Sequence, residues 1–190
     1  MPVTISGSGL ITTANASFSG TLSSASRGIS SSSVPAGSII QVVNAVYTTQ
    51  WSATPGQQVT PNGNMADTGF GITITPTSAT SKIMLMGQLA AMNSTGGGAT
   101  DFIFKRGATI LQVGVSGAND NYLTGFYLNA GTDKPWVTLP FFVLDSPNTT
   151  SSTTYQLFGL GGNGNTLYLN RRSDSWSAGA TIFFAMELAQ

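Results

Sequence analysis

Chemistry has few places to sit in this chain. Its seven acids, Asp67, Asp101, Asp120, Asp133, Asp145, Asp174 and Glu187, are scattered and fall mostly in turn-forming stretches. A hydrolase built on paired carboxylates needs two of them at a set separation across a cleft, and nothing in this spacing marks such a pair. Histidine and cysteine are both absent. That removes the commonest general base, the commonest metal-binding nitrogen, thiolate sites and disulfides. Asn119-Asp120-Asn121 offers oxygens to Ca²⁺, but such an ion takes roughly six to eight ligands. The Gly-rich run 159–165 (GLGGNGN) lacks the Lys-Ser/Thr of a phosphate-binding loop and precedes a strand pattern, so it is expected to be a hairpin turn. Asp145-Ser-Pro-Asn148 has the residue order of a type I turn, with the Asp side chain bonding the backbone and Pro setting φ. No catalytic residue, metal or cofactor is expected.

The stretch Arg171-Arg172-Ser173-Asp174-Ser175-Trp176 is the one loop whose residue types could hold a ligand. Arg, Asp and Trp together can bind a sugar through stacking and charge-assisted hydrogen bonds. The same residues are favoured at protein interfaces. The plainest alternative is a local Arg–Asp pair with the Trp packed on the rim of the core. Trp51 and Trp136 lie beside turn-rich stretches and carry less information.

The elements that must position these residues are written in an unusual composition. Only 7% of the residues are charged and the formal net charge is zero, while 41% are hydrophobic. Soluble monomers ordinarily cover themselves with Lys, Glu, Asp and Arg, which stay hydrated and repel neighbours. Here Glu187 is the sole Glu, and Lys82, Lys105 and Lys134 are the only lysines. A neutral Ser/Thr/Asn surface suits a protein that sits against other subunits. Neutral balance argues against nucleic acid, which demands a basic face. No apolar run approaches the ~18 residues of a membrane span, and the N-terminus MPVTISGSGL has no signal-peptide pattern; no membrane partner is expected.

Two regions differ in character. Ser, Thr, Gly or Ala fill 22 of the first 33 positions, and Arg27 is their only charge. Residues 1–34 are therefore expected to form an extended attachment arm, docking through Ile5, Leu10, Phe18, Leu22 and Ile29. Fully extended, it reaches about 110 Å, against a radius of gyration of about 15 Å for the remainder. From residue 35 to 190 the pattern is short β-segments between Gly/Asn/Pro/Asp turns. Strands are expected over 38–47, 69–75, 81–91, 101–106, 109–115, 122–129, 136–144, 154–160, 166–170 and 178–188. About eight to ten strands in one domain, with no helical period, indicate an all-β, jelly-roll-like antiparallel sandwich. The strands over 81–91 and 178–188 are too apolar to leave one face in water, which points to self-association through them or to a covering loop.

Three segments together resemble the C-terminal β-domain of tailed-bacteriophage virion proteins: Gly71–Met86 (GITITPTSATSKIMLM), Val143–Gly159 (VLDSPNTTSSTTYQLFG) and Ala178–Glu187 (AGATIFFAME). The resemblance covers roughly residues 36–190, and the Ser/Thr/Gly arm is similar to virion attachment segments. It implies a jelly roll that forms homotrimers, has no catalytic residues and is anchored through its N-terminus. The expected role is a capsid decoration (cement) protein, bound to the major capsid protein or another virion protein. It would be assembled in the bacterial host cytoplasm and located on the virion. The alternative is a head- or tail-fibre module that binds a host glycan through Arg171, Arg172, Asp174 and Trp176.

Overall fold

A computed structural model describes residues 34–55, 64–94, 98–111, 123–128, 136–174 and 178–190. They form strands β1 (Ile39–Tyr47), β2 (Trp51–Ala53), β3 (Ala66–Ile74), β4 (Lys82–Asn93), β5 (Gly98–Arg106) and β6 (Thr109–Leu111), then β7 (Thr124–Leu128), β8 (Val137–Asp145), β9 (Thr153–Gly161), β10 (Leu167–Leu169) and β11 (Thr181–Leu188). Every pairing is antiparallel. Several short strands are halves of longer ones. β10 and β11 both lie along one edge of β4, and β1 and β2 lie along β11 and β10 respectively. β6 and β7 likewise share one edge of β5.

Counting each such pair once leaves eight strands in two sheets. One sheet runs β1/β2, β10/β11, β4, β8; the other runs β3, β9, β5, β6/β7. This interleaving of early and late strands in two four-stranded layers is the jelly roll expected from the sequence. The strand β2 was not expected, because three residues between turn signals carry too little alternation to register. The Gly-rich run 159–165 is not a hairpin. Gly159–Gly161 complete β9, and Gly162–Gly164 make a single 3₁₀ turn. The chain there passes between sheets, since β9 and β10 pair with different neighbours. The expected segment 112–115, like Asn119, Asp120, Asn121, Asp133 and Lys134, lies outside the described residues.

The core follows from period-two alternation. β3 buries Phe70, Ile72 and Ile74, β4 buries Ile83, Leu85 and Leu89, and β9 buries Tyr155 and Leu157. Phe183 on β11 is the meeting point: its ring packs 5.6 Å from Tyr47, 5.3 Å from Phe104 and 5.6 Å from Phe141. Tyr47 in turn stacks on Phe70 with centroids 4.4 Å apart. Tilted and edge-on ring pairs of this kind add about 0.5–1.5 kcal/mol each beyond area burial.

Two buried carboxylates tie the layers together. Asp145, at the end of β8, accepts from Arg106 Nε at 2.8 Å and from Tyr155 Oη at 2.9 Å. It thus joins one sheet to two strands of the other, instead of capping a 145–148 turn as its sequence context suggested. The charged guanidinium and the buried phenol outcompete a local backbone contact, because an unpaired buried carboxylate is costly. Burial first, and then the bond to Asp145, push the Tyr155 phenol well above the ordinary tyrosine range.

Glu187 is fully buried on β11. It accepts from Gln41 Nε2 at 2.6 Å and from Thr77 N and Oγ1 at 2.7 and 2.8 Å, pinning the β3–β4 connection onto β1 and β11. Burial works to raise its pKa, but hydrogen bonds from Gln41, Ser81 and Thr77 outweigh it and hold the carboxyl below its ordinary 4.5. Ser81 is the marginal contributor, since its buried hydroxyl has no partner of full hydrogen-bond geometry. A depressed native pKa stabilises the fold above the ordinary carboxylate range, and that stability is lost as pH falls through the native value. Glu187→Gln is therefore expected to lower stability by about 1.5–3 kcal/mol at pH 7. It should also flatten the loss of melting temperature below pH 4.5; thermal unfolding from pH 3 to 7 reads both.

Candidate interaction face

The sheet register builds a surface one row at a time. Val42, Met186, Met84 and Leu144 stand side by side across four strands; Asn44, Phe184, Met86 and Phe142 form the next row; Val46, Ile182, Gln88 and Pro140 form the third. All point away from the core, because their neighbours Val43, Ala45, Phe183, Ala185, Leu85 and Val143 point into it. Ten of the twelve are apolar and none is charged. Val42, Val46 and Phe142 each expose just over half of their surface, at 52%, 54% and 53%. With strands ~4.8 Å apart and residues ~3.4 Å apart along them, the three rows cover roughly 400 Å². That is the size of the largest apolar patch on a typical monomer, a patch that is often functional.

The patch contains a groove of about 480 Å³ lined by Met86, Gly87, Gln88, Thr138, Pro140, Ile182 and Phe184. Gly87 makes its floor: a Cβ there would stand 2.0 Å from the Ile182 carbonyl oxygen and 3.0 Å from the Phe141 ring. The strands β4 and β11 can pass this closely only over glycine. Trp136 closes one end of the face, with its ring against Gly179; a Cβ on Gly179 would lie 2.4 Å from Trp136 Cζ2 and 2.9 Å from the Ala90 Cβ.

The outer face of the other sheet is different in kind. There Thr73 and Thr154 share a hydrogen bond of 2.7 Å, Gln156 donates to Asp67 at 2.8 Å, and the Lys105 ammonium sits 4.1 Å above the Phe158 ring. One face of the sandwich is thus hydrated and the other apolar.

The structure brings 81–91 and 178–188 together as the centre of the apolar face, as adjacent antiparallel strands. Sequence reasoning did not single out the flanking contributions of β1 and β8. Their signal was present in QVVNAV and LPFFVL, where apolar residues occupy both parities of the alternation.

The 171–176 loop leaves the sheet where β10 stops and β11 begins, closed by a bridge between Arg171 and Ala178. Arg172 Nη2 and Asp174 Oδ2 pair at 2.9 Å, both well exposed. Arg171 Nε donates to the Arg172 carbonyl at 3.1 Å, and its guanidinium lies 5.2 Å from the Tyr168 ring centroid. The Arg–Asp contact is thus local, within the loop. Trp176 lies outside the described residues, as do Ile5, Leu10, Phe18, Leu22 and Ile29 of the arm. Among the described residues no three or more acids gather into a metal-ligating group.

Gly87→Ala is expected to force β4 from β11 and cost about 1–3 kcal/mol, the usual range for overpacking; chemical denaturation measures it, and an unchanged midpoint would contradict the close approach. The chain matches no protein-family model and no curated protein sequence.

Proposed function

We propose that this chain is a non-enzymatic structural protein of a tailed-bacteriophage virion. In this reading it is a homotrimeric capsid decoration protein, attached through residues 1–34 to the major capsid protein or another virion protein. The observation that carries the reading is the charge-free apolar face of β1, β11, β4 and β8. An apolar area of that size has its lowest free energy against another protein surface. Its lack of charge removes both the repulsion that keeps subunits apart and the desolvation cost of burying ions. The phage assignment itself rests on the sequence resemblance.

The arm and the face divide the work of assembly. Three arms on one trimer bind with an avidity that a single arm lacks, and each arm can add strands or fill grooves on the particle. Burial of the apolar face joins the copies.

Met86→Lys places a charge in the middle row, where Met86 is only partly covered. It is expected to convert the oligomer to monomer at micromolar concentration while shifting the melting temperature by a few degrees at most, read by analytical ultracentrifugation and calorimetry. A variant that remains trimeric would exclude this face as the subunit contact. Deleting residues 1–34 is expected to abolish binding to undecorated capsids in a co-sedimentation assay; undiminished binding would refute the anchoring role.

A further inference from the structure

The apolar face has two kinds of border. Along the strands it stops at charge. Lys82 opens β4 on the same parity as Met84 and Met86. At the other end of β4 the 171–174 stretch, with its Arg172–Asp174 pair, lies on the outer side, where Ser173 N donates to Met92 Sδ at 3.4 Å. Across the strands the face runs without charge to the outermost strands, β1 and β8, which among the described residues each pair on one side only. Large exposed apolar side chains stand at both edges: Val42 and Val46 on β1, Phe142 and Leu144 on β8. Pro140 on β8 has no N–H to donate, which interrupts any ladder along that edge. Neighbours that meet here therefore meet through side chains.

Area and thickness fix how many faces can share one core. Two faces of roughly 400 Å² laid together bury about 800 Å², the size of a non-specific contact; three bury about 1,200 Å², where specific complexes begin. Four strands at ~4.8 Å make each face about 19 Å wide. Three such faces closed into a triangle stand about 5.5 Å from the central axis, and stacked sheets at a spacing of ~10 Å leave about 5 Å for the side chains of each. A square of four would stand about 9.6 Å from its axis and leave a hollow that the same side chains cannot fill. Three is the number at which the faces bury enough surface and also fill the space between them.

We propose that three copies close around an axis running along β4 and β11, with β1 of each copy against β8 of the next. This rests on the reading of the face as the subunit contact, and it gives that contact its strands and its symmetry. Rotation about such an axis keeps every row of the face at its height. Val42 of one copy therefore comes level with Leu144 of the next, and Val46 with Pro140, as they are within one sheet. The groove at Gly87 is lined on its β8 side by Thr138 and Pro140, and the protruding Val46 of the neighbouring copy is the side chain placed to enter it. The contact is heterologous, with a knob on one edge and a hole on the other, and each copy supplies both.

The absence of cysteine allows a direct test in the full chain. Val42→Cys and Leu144→Cys together place one thiol on each edge, at exposed positions outside the core. A short bis-maleimide is expected to carry most of the double variant to a covalent trimer on a denaturing gel. Either single variant is expected to stay at monomer mass, because its thiols sit at separate corners of the triangle. Sedimentation before cross-linking reads the native assembly, and an unchanged melting temperature shows that the sandwich is intact. A covalent dimer as the end product, or cross-linking of a single variant, overturns the arrangement. So does a native trimer that the reagent leaves uncoupled, a result that lets the subunit reading of the face stand. A chain that sediments as a monomer overturns the subunit reading itself, and this arrangement with it.

Discussion

Phe183 has to be buried, and the β-strand that carries it has a period of two. Its ring meets Tyr47, Phe104 and Phe141 and so joins three other strands of the sandwich. Once Phe183 and Ala185 are committed to the core, Ile182, Phe184 and Met186 must stand on the other side of the same sheet. A one-residue slip would exchange the two sets, and Glu187 would lose its hydrogen bonds from Gln41 and Thr77. The apolar outer face is therefore not a local accident of composition. It follows from a strand that is apolar at both parities and that the described residues pack against on only one side.

The polar parts of the fold work around this constraint. Asp145 and Glu187 lie near one end of the sandwich, where Arg106, Tyr155, Gln41 and Thr77 converge on them. Asp145 reaches from β8 to two strands of the opposite sheet, and Glu187 fastens the connection between the sheets to β1 and β11, so the layers are held in one relative position. In a protein so poor in charge, these few ionised groups fix geometry and do not serve as a hydrated coat. The surface carries hydroxyls, amides and the occasional charge on one side and aliphatic and aromatic groups on the other.

Much of this was legible in the sequence. Alternation and turn residues located nearly every strand to within a few positions, because each strand buries one face against a single core. The two apolar strands announced a sheet that is apolar on its outer face as well. What local pattern could not supply was pairing. That β4 lies between β11 and β8, that Val42 and Phe142 extend the same face, and that Asp145 reaches across to Arg106 are long-range facts set by register. Gly87 is another such case, since its necessity appears only when the Ile182 carbonyl is placed above it. Arg172 and Asp174 were grouped correctly as neighbours, but their proximity in sequence already accounted for their contact.

The way the chain enters the fold also has a mechanical meaning. A pull on the residues before Pro35 is delivered to β1, which is bound to β11 along a ladder running from Ile39 opposite Leu188 to Tyr47 opposite Thr181. That pull acts along the strand, so the ladder is loaded in shear: its hydrogen bonds share the force and must yield together instead of opening in sequence like a zipper. Hydrogen bonds from Gly37 N to Ala189 O and from Ala189 N to Ser38 O extend the same clamp past Ile39. Tension applied at this entry would pass from β1 into β11, and the aromatic core behind β11 lies directly in its path.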